Sequence, residues 1–427
     1  MEGFVSILHN FKQNLDVMKS FIESLDRMME FHKTEDSHKN EHNGFEPIFE
    51  AMALVKKESS LESREILIKK INEDFELGEI SLNEDKGIKF NFTSSLIANR
   101  FNRHINQLLL PDKQISMIYS SSLINLVIYF ELLANQLIKV RLKKFPESMN
   151  LKEKKLNFKE IEEIGSIREA KNYLIEQEVI NLMSSGFVTW MDYFKNKMKV
   201  DMKRLSPYIN EINEIFCRRH LFVHNDGIVS NTYLSRVGEE FKNDLSIGDK
   251  LSVNEKYLLD ALDKFKKFGV LLTIETWKRQ EKVSSKRQHF LHDYVYDLLV
   301  EEEWELASII CEFILTDNEI SSNSKYSAKL NFWLAKKRMN QFDSYIDEIK
   351  KADFQALNPQ FQICRYALLE EYDDLYELLD RNYANPIGME SLEEWPIFAE
   401  LRKHENYESF IKSKESLEGN TEVLIYN

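Results

Sequence analysis

Apolar side chains recur every three or four residues over most of the chain, the spacing that lines one face of a 3.6-residue helix. The N-terminal run of Phe4, Leu8, Phe11, Leu15, Met18, Phe21, Ile22, Leu25 and Met29 predicts an amphipathic helix that stops at a polar stretch, Lys33 to Gly44. Shorter periodic runs follow over 45–55 and 61–71. The segment Gly87 to Phe92 alternates and predicts a short strand. The most apolar helix is expected from Ser120 to about Lys144, with Leu126, Phe130, Leu133 and Leu137 as its buried stripe and Pro146 just beyond its end. Further helices are predicted over 166–184, 187–199, 207–222 and 252–277.

Beyond a polar, basic tract from Trp277 to Gln288, the pattern becomes one of irregular helical hairpins. Trp304, Phe342, Tyr372 and Tyr407 each sit at a short polar turn and open a second helix, followed three residues later by Ala307, Tyr345, Leu375 or Phe410. The spacings of 38, 30 and 35 residues lie near the ~34-residue period of tetratricopeptide-type helix pairs. The consensus Gly and Pro are missing, so the reading is an irregular α-solenoid. The expected layout is a helical domain over 1–115, a helical bundle over 116–275, a linker over 276–287 and helical repeats over 288–427.

Composition supports an all-α class. Only 12 Gly and 7 Pro occur in 427 residues, where average usage gives roughly 50 together. A many-turned sandwich, barrel or propeller and a Gly-rich nucleotide fold are thereby disfavoured. The three cysteines, Cys217, Cys311 and Cys364, form neither a disulfide framework nor a zinc pattern and fit a reducing cytoplasm. No secretory leader is expected from Met1-Glu2-Gly3-Phe4. The stretch Leu123 to Ile138 is interrupted by Asn125, Glu131, Asn135 and Gln136, so no membrane span of ~20 apolar residues is expected. The net charge of −14 divides unevenly: −5 over 1–120, +6 over 121–290 and −15 over 291–427. A polyanionic substrate therefore belongs to the middle of the chain. The acidic last third suits a protein partner instead, because it repels phosphate backbones.

Phosphate-loop, dinucleotide-binding, zinc-protease and serine-hydrolase motifs are all absent. A tract with His32, Glu35, Asp36, His38, Glu41 and His42 imitates metal-ligand spacing, but it is wholly polar and reads as a solvated loop. No metal or cofactor is expected. The informative tract is Phe216-Cys217-Arg218-Arg219-His220-Leu221-Phe222-Val223-His224-Asn225-Asp226-Gly227. Two Arg and two His here fall within seven residues of the basic third. Metal-free RNA cleavage needs a cation for the charge that develops on phosphate and a group of pKa near 7 for proton transfer. Arg and His are those groups. Arg219 and His224 are five apart, ~140° around a regular helix. They converge only if the helix ends or bends near His224, for which Asn225-Asp226-Gly227 provides a stop.

Arg219-His220-Leu221-Phe222-Val223-His224 resembles the motif of the HEPN superfamily of helical ribonucleases: an Arg, a polar residue directly after it, and a His beyond four to six intervening residues. The flanks Phe187 to Phe194, Ile212 to Ile215 and Leu221 to Val229, and Glu131 within Tyr129-Phe130-Glu131-Leu132-Leu133, extend the resemblance over 116–275. The resemblance implies a dimerising helical bundle and metal-independent endoribonuclease activity on cellular RNA such as tRNA, in a toxin or phage-defence setting. Arg219, His224 and His220 are then the catalytic candidates, with Glu131, Arg218 and Asn225 in support. Glu131 pairs either with an active-site Arg or His or with a neighbouring Lys. Leu221-Phe222-Val223 is a candidate for part of the homodimer interface. The cations Lys143, Lys144, Lys152, Lys154, Lys155 and Lys159 read as a solvated face, with an RNA track as the alternative. A second match, Arg287-Gln288-His289-Phe290-Leu291-His292, reads as a decoy in the linker whose residues tolerate alanine. The competing function is a non-catalytic HEPN dimer whose repeats hold a protein partner.

Overall fold

A computed structural model describes residues 3–39, 44–49, 51, 61–82, 88–149, 156–354, 357–381 and 389–418. The class is all-α, with a single two-stranded hairpin among the described residues. The chain forms two compact units, one of Ser6–Asp192 with Leu205–Gly269, the other of Met1–Val5, Tyr193–Arg204 and Val270–Asn427.

The first unit begins with α1 (Phe4–Lys39), α2 (Leu61–Asp74), β1 (Gly78–Leu82), β2 (Ile88–Phe92) and α3 (Ser95–Lys144). It continues with α4 (Phe158–Ile164), α5 (Ile167–Met183), α6 (Phe187–Asp192), α7 (Ile209–Asn225), α8 (Asn231–Arg236) and the first half of α9 (Glu255–Gln280). Helix α1 runs to Lys39, past the start of the expected polar loop; the side chains of the His-rich tract, and Lys152, Lys154 and Lys155, lie outside the described residues.

Helix α3 starts at Ser95, where the Ser94 hydroxyl accepts a hydrogen bond from the Ile97 N–H, and continues unbroken for 50 residues. The boundary expected at 115/116 therefore falls inside one helix. Its N-terminal part lends Phe101 to a separate small core with Phe45, Ile68, Ile71, Phe75 and Ile80, closed by the hairpin. Its second part, Asp112–Lys144, is long and apolar enough by length and composition alone to cross a membrane, which corrects the expectation from the sequence. Its apolar stripe is buried within the unit: Leu123, Leu126, Val127, Phe130, Leu133, Ala134, Leu137 and Ile138 are all sealed from solvent.

Phe130 centres that core, with its ring 5.0–6.5 Å from those of Phe11, Phe187, Phe216, Phe265 and Phe268. Aromatic pairs of this kind add about 0.5–1.5 kcal/mol each beyond area burial. Gly269 lets α9 approach closely, since a β-carbon there would lie 2.3 Å from the Phe11 ring and 2.9 Å from Leu133. Helices α5 and α7 each pack against α3.

In the second unit, α10 (Ser285–Val300), α11 (Trp304–Thr316), α12 (Ser322–Arg338), α13 (Ile346–Lys351), α14 (Pro359–Leu369), α15 (Tyr372–Arg381), α16 (Met389–Glu394) and α17 (Tyr407–Glu418) follow in order. Trp304, Tyr372 and Tyr407 open helices as expected, and Phe342 opens a short 3₁₀ turn leading into α13. Glu302, Asn340 and Glu370 each lie two residues before an opening aromatic and hold φ of 58–60°. These are the left-handed positions that a repeat rich in Gly would fill at lower cost.

The expected linker is mostly helical: α9 extends to Gln280 and α10 begins at Ser285. Arg287 is 1% exposed and packs inside the unit. Its guanidinium donates to the carbonyls of Glu281 and Lys282 and to the Asp317 carboxylate at 3.2 Å. Arg287 is thus a core residue, which corrects the expectation that it tolerates alanine. His292 is exposed and lies 3.6 Å from Asp293.

Candidate active site

Helix α7 carries the motif. Ile212, Ile215, Phe216 and Leu221 form its buried face, leaving His220, Val223 and His224 exposed near its C-terminal end. The helix stays regular through His224 and stops one residue later. Asp226 takes a left-handed conformation (φ 48°) and donates its N–H to the Leu221 carbonyl. Gly227 follows at φ 75°, where a β-carbon would lie 2.9 Å from the Phe222 ring and 3.0 Å from the Leu251 carbonyl oxygen. Asn225 Nδ2 donates to the Ile228 carbonyl at 2.6 Å, so its amide fastens the turn.

The two adjacent arginines have different employment. Arg218 Nε donates to Glu214 Oε1 at 2.7 Å, and its guanidinium lies 4.2 Å from the Tyr257 ring centroid. Glu214 is 2% exposed and accepts further hydrogen bonds from the hydroxyls of Tyr233 at 2.7 Å and Tyr257 at 2.8 Å. A buried carboxylate is tolerated only when it is paired and hydrogen-bonded in this way. Burial and this carboxylate push both phenols above their ordinary range, keeping them as donors. Arg218 therefore belongs to the scaffold joining α7, α8 and α9 rather than to an open phosphate site.

Arg219 faces α3. Its Nη2 lies 2.6 Å from Glu131 Oε1, and both side chains are about a quarter to a third exposed. Of the two partners open to Glu131, the structure selects the arginine. Burial raises the Glu131 pKa, and the Arg219 charge only partly opposes it. Arg219 Nε is buried without a hydrogen-bond partner among the described residues. The rings of His220 and His224 stand one helical turn apart with centroids 4.5 Å from each other. Burial, then the positive neighbours His224, Arg236 and Arg219, depress the His220 pKa.

Two adjoining clefts open around these groups. The larger, of about 460 Å³, is lined by Phe187, Val188, Asn213, Arg219, His220 and Arg236 among others. The smaller, of about 230 Å³, includes His220, His224, Asn225, Ser230, Thr232 and Arg236. Arg219 lines only the first and His224 only the second, while His220 lines both. The helix ends too late to bring Arg219 and His224 into one cleft of a single protomer. Leu221, offered above as interface, is instead buried with Val229, Tyr233 and Val237. Arg236 escapes a reading of the motif because it lies 12 residues beyond His224 on a different helix.

No protein-family model, curated protein or solved structure matches this chain.

Proposed function

We propose that this protein is a metal-independent endoribonuclease of the HEPN type, acting on RNA as a homodimer. The observation that carries the reading is the gathering of Arg219, His220, His224 and Arg236 around two contiguous clefts at the exposed end of α7. In the reaction the 2′-oxygen attacks phosphorus in line and the bond to the 5′-oxygen breaks. The 2′-hydroxyl proton passes to one imidazole, and a second imidazolium protonates the leaving oxygen. The products are a cyclic phosphate and a 5′-hydroxyl. Arg219 stabilises the charge on the phosphoryl oxygens, and His224, assisted by His220, handles the protons.

The separation of Arg219 and His224 within one protomer supports a composite site. A two-fold axis places the Arg219 of one copy beside the His224 of the other, as an isologous interface allows. Arg219→Ala and His224→Ala are each expected to abolish cleavage of a tRNA substrate in chelator, by 10² or more for the loss of proton transfer alone. Co-expression of the two inactive variants restores cleavage, because the heterodimer contains one site with both groups. Undiminished cleavage by either single variant overturns the nuclease reading. Failure of the mixture to recover, with heterodimer present, overturns the composite site.

The Arg219–Glu131 ion pair favours a second reading, a non-catalytic dimer whose acidic repeats hold a protein partner. It neutralises the cation that catalysis needs. A wild-type protein that binds RNA no better than a neutral helical protein and cuts none is the result that selects it.

A further inference from the structure

We propose that Arg236 is a second phosphate-binding residue of this site, holding the RNA backbone next to the cleaved bond. The proposal rests on the ribonuclease reading above and extends it to a residue outside the motif. Arg236 lines both clefts, together with Cys217 and His220. A strand that passes from the Arg219 cleft to the His224 cleft must therefore pass its guanidinium. That side chain is exposed and makes no hydrogen bond or ion pair among the described residues. Arg218 is held by Glu214, and Arg219 shares its guanidinium with Glu131 through Nη2. Arg236 is therefore the arginine at the clefts that no carboxylate among the described residues shares, and a guanidinium offers paired donors to a phosphate.

The backbone holds this residue in place without using its side chain. The Arg236 carbonyl accepts from Asn213 Nδ2 of α7 at 2.7 Å. The Tyr233 hydroxyl, one turn earlier on α8, is tied to Glu214 of α7. Ser230 caps the same helix by accepting from the Tyr233 N–H. These bonds survive truncation of the Arg236 side chain, so an alanine variant keeps its fold. The influence of Arg236 on His220 agrees with its closeness to the proton-transfer groups.

The test measures binding of a single-stranded RNA oligonucleotide with 2′-O-methyl groups, which cannot be cleaved, over a salt series. Arg236→Ala is expected to weaken binding about tenfold or more, the size of a lost charged hydrogen bond. It also flattens the slope of log K against log salt by about 0.7, one released counterion on a single strand. Arg236→Lys keeps the slope, because the charge remains. Thermal unfolding of both variants is expected to match the wild type. Wild-type affinity and slope in Arg236→Ala overturn the assignment, even where Arg219→Ala and His224→Ala abolish cleavage. Loss of slope in a protein that cuts no RNA supports the phosphate contact and overturns the nuclease reading. Absence of RNA affinity in the wild type overturns both.

Discussion

Glu214 joins three helices through one carboxylate, and removing its partners one at a time measures what that junction contributes. The carboxylate is 2% exposed and is held by Arg218, Tyr233 and Tyr257 at 2.7–2.8 Å. Glu214→Ala leaves a half-buried guanidinium unpaired and two hydroxyls without their acceptor. Breaking a buried ion pair from one side costs about 3–5 kcal/mol, and each orphaned hydroxyl about 1–3 kcal/mol. These terms overlap, since all three partners share one group. The expected loss is about 5 kcal/mol, as large as the whole stability of some domains. Tyr233→Phe is the gentler probe. It removes one hydrogen bond to a charged acceptor, about 1.5–3 kcal/mol, from a residue that is 2% exposed. Tyr257→Phe is expected to cost less, because the phenyl ring keeps its contact with the Arg218 guanidinium. Amide hydrogen exchange over 209–237 reads the effect locally, and about 2 kcal/mol corresponds to roughly 30-fold faster opening. Trp190, the only tryptophan of that unit, packs 5.4 Å from Phe216 and gives a second probe. If Tyr233→Phe leaves exchange unchanged and Glu214→Ala loses under 1 kcal/mol, the carboxylate does not organise the site.

Two further outcomes follow from buried groups. Tyr233 and Tyr257 ionise less readily in the fold than the ~10 expected when unfolded. Above that pH the unfolded chain releases protons that the native state retains. Their contribution is therefore complete below ~10 and declines as pH rises further, and melting temperatures across the alkaline range are expected to fall less steeply in the double Phe variant. Arg287→Ala is expected to cost about 1.5–3 kcal/mol, the size of a lost charged hydrogen bond, since it removes one of two cations from the buried Asp317 and leaves Lys278 at 3.6 Å inside the second unit. Limited proteolysis of the C-terminal helices checks this, and wild-type resistance refutes it.

The fold was legible where burial is periodic along one helix. The 3.6-residue stripes placed α1, α3, α5, α7 and α9, and the alternation around Phe90 placed β2. Strand β1 was missed because its support comes from elsewhere in the chain. Asn72 of α2 clasps Ile80, its amide accepting from the Ile80 N–H and donating to the Ile80 carbonyl, both at 2.8 Å. The long extent of α3 was missed for a related reason. Its first part buries only Phe101 and neighbours against a separate small core, so no continuous stripe announces that 95 and 144 share one helix.

At the site, residue type was visible and engagement was not. Arg218 and Arg219 look equivalent in the sequence, yet a carboxylate four residues back on the same helix takes the first and one on α3 takes the second. The Glu214–Arg218 spacing is readable as an i,i+4 pair; for Glu131 the sequence leaves an active-site Arg or His and a neighbouring Lys open, and only packing selects Arg219, 88 positions away. The two Arg-x4-His matches show the same limit more sharply. In the first, the imidazoles are exposed and the clefts beside them open to solvent. In the second, the guanidinium is spent on two carbonyls and Asp317 inside the unit, so it has no donor face for a phosphate. Spacing alone ranks the matches equally, whereas the free energy of burying and pairing a charge separates them. The same reasoning turns attention to Arg236, which no motif contains and which keeps its donors open beside His220.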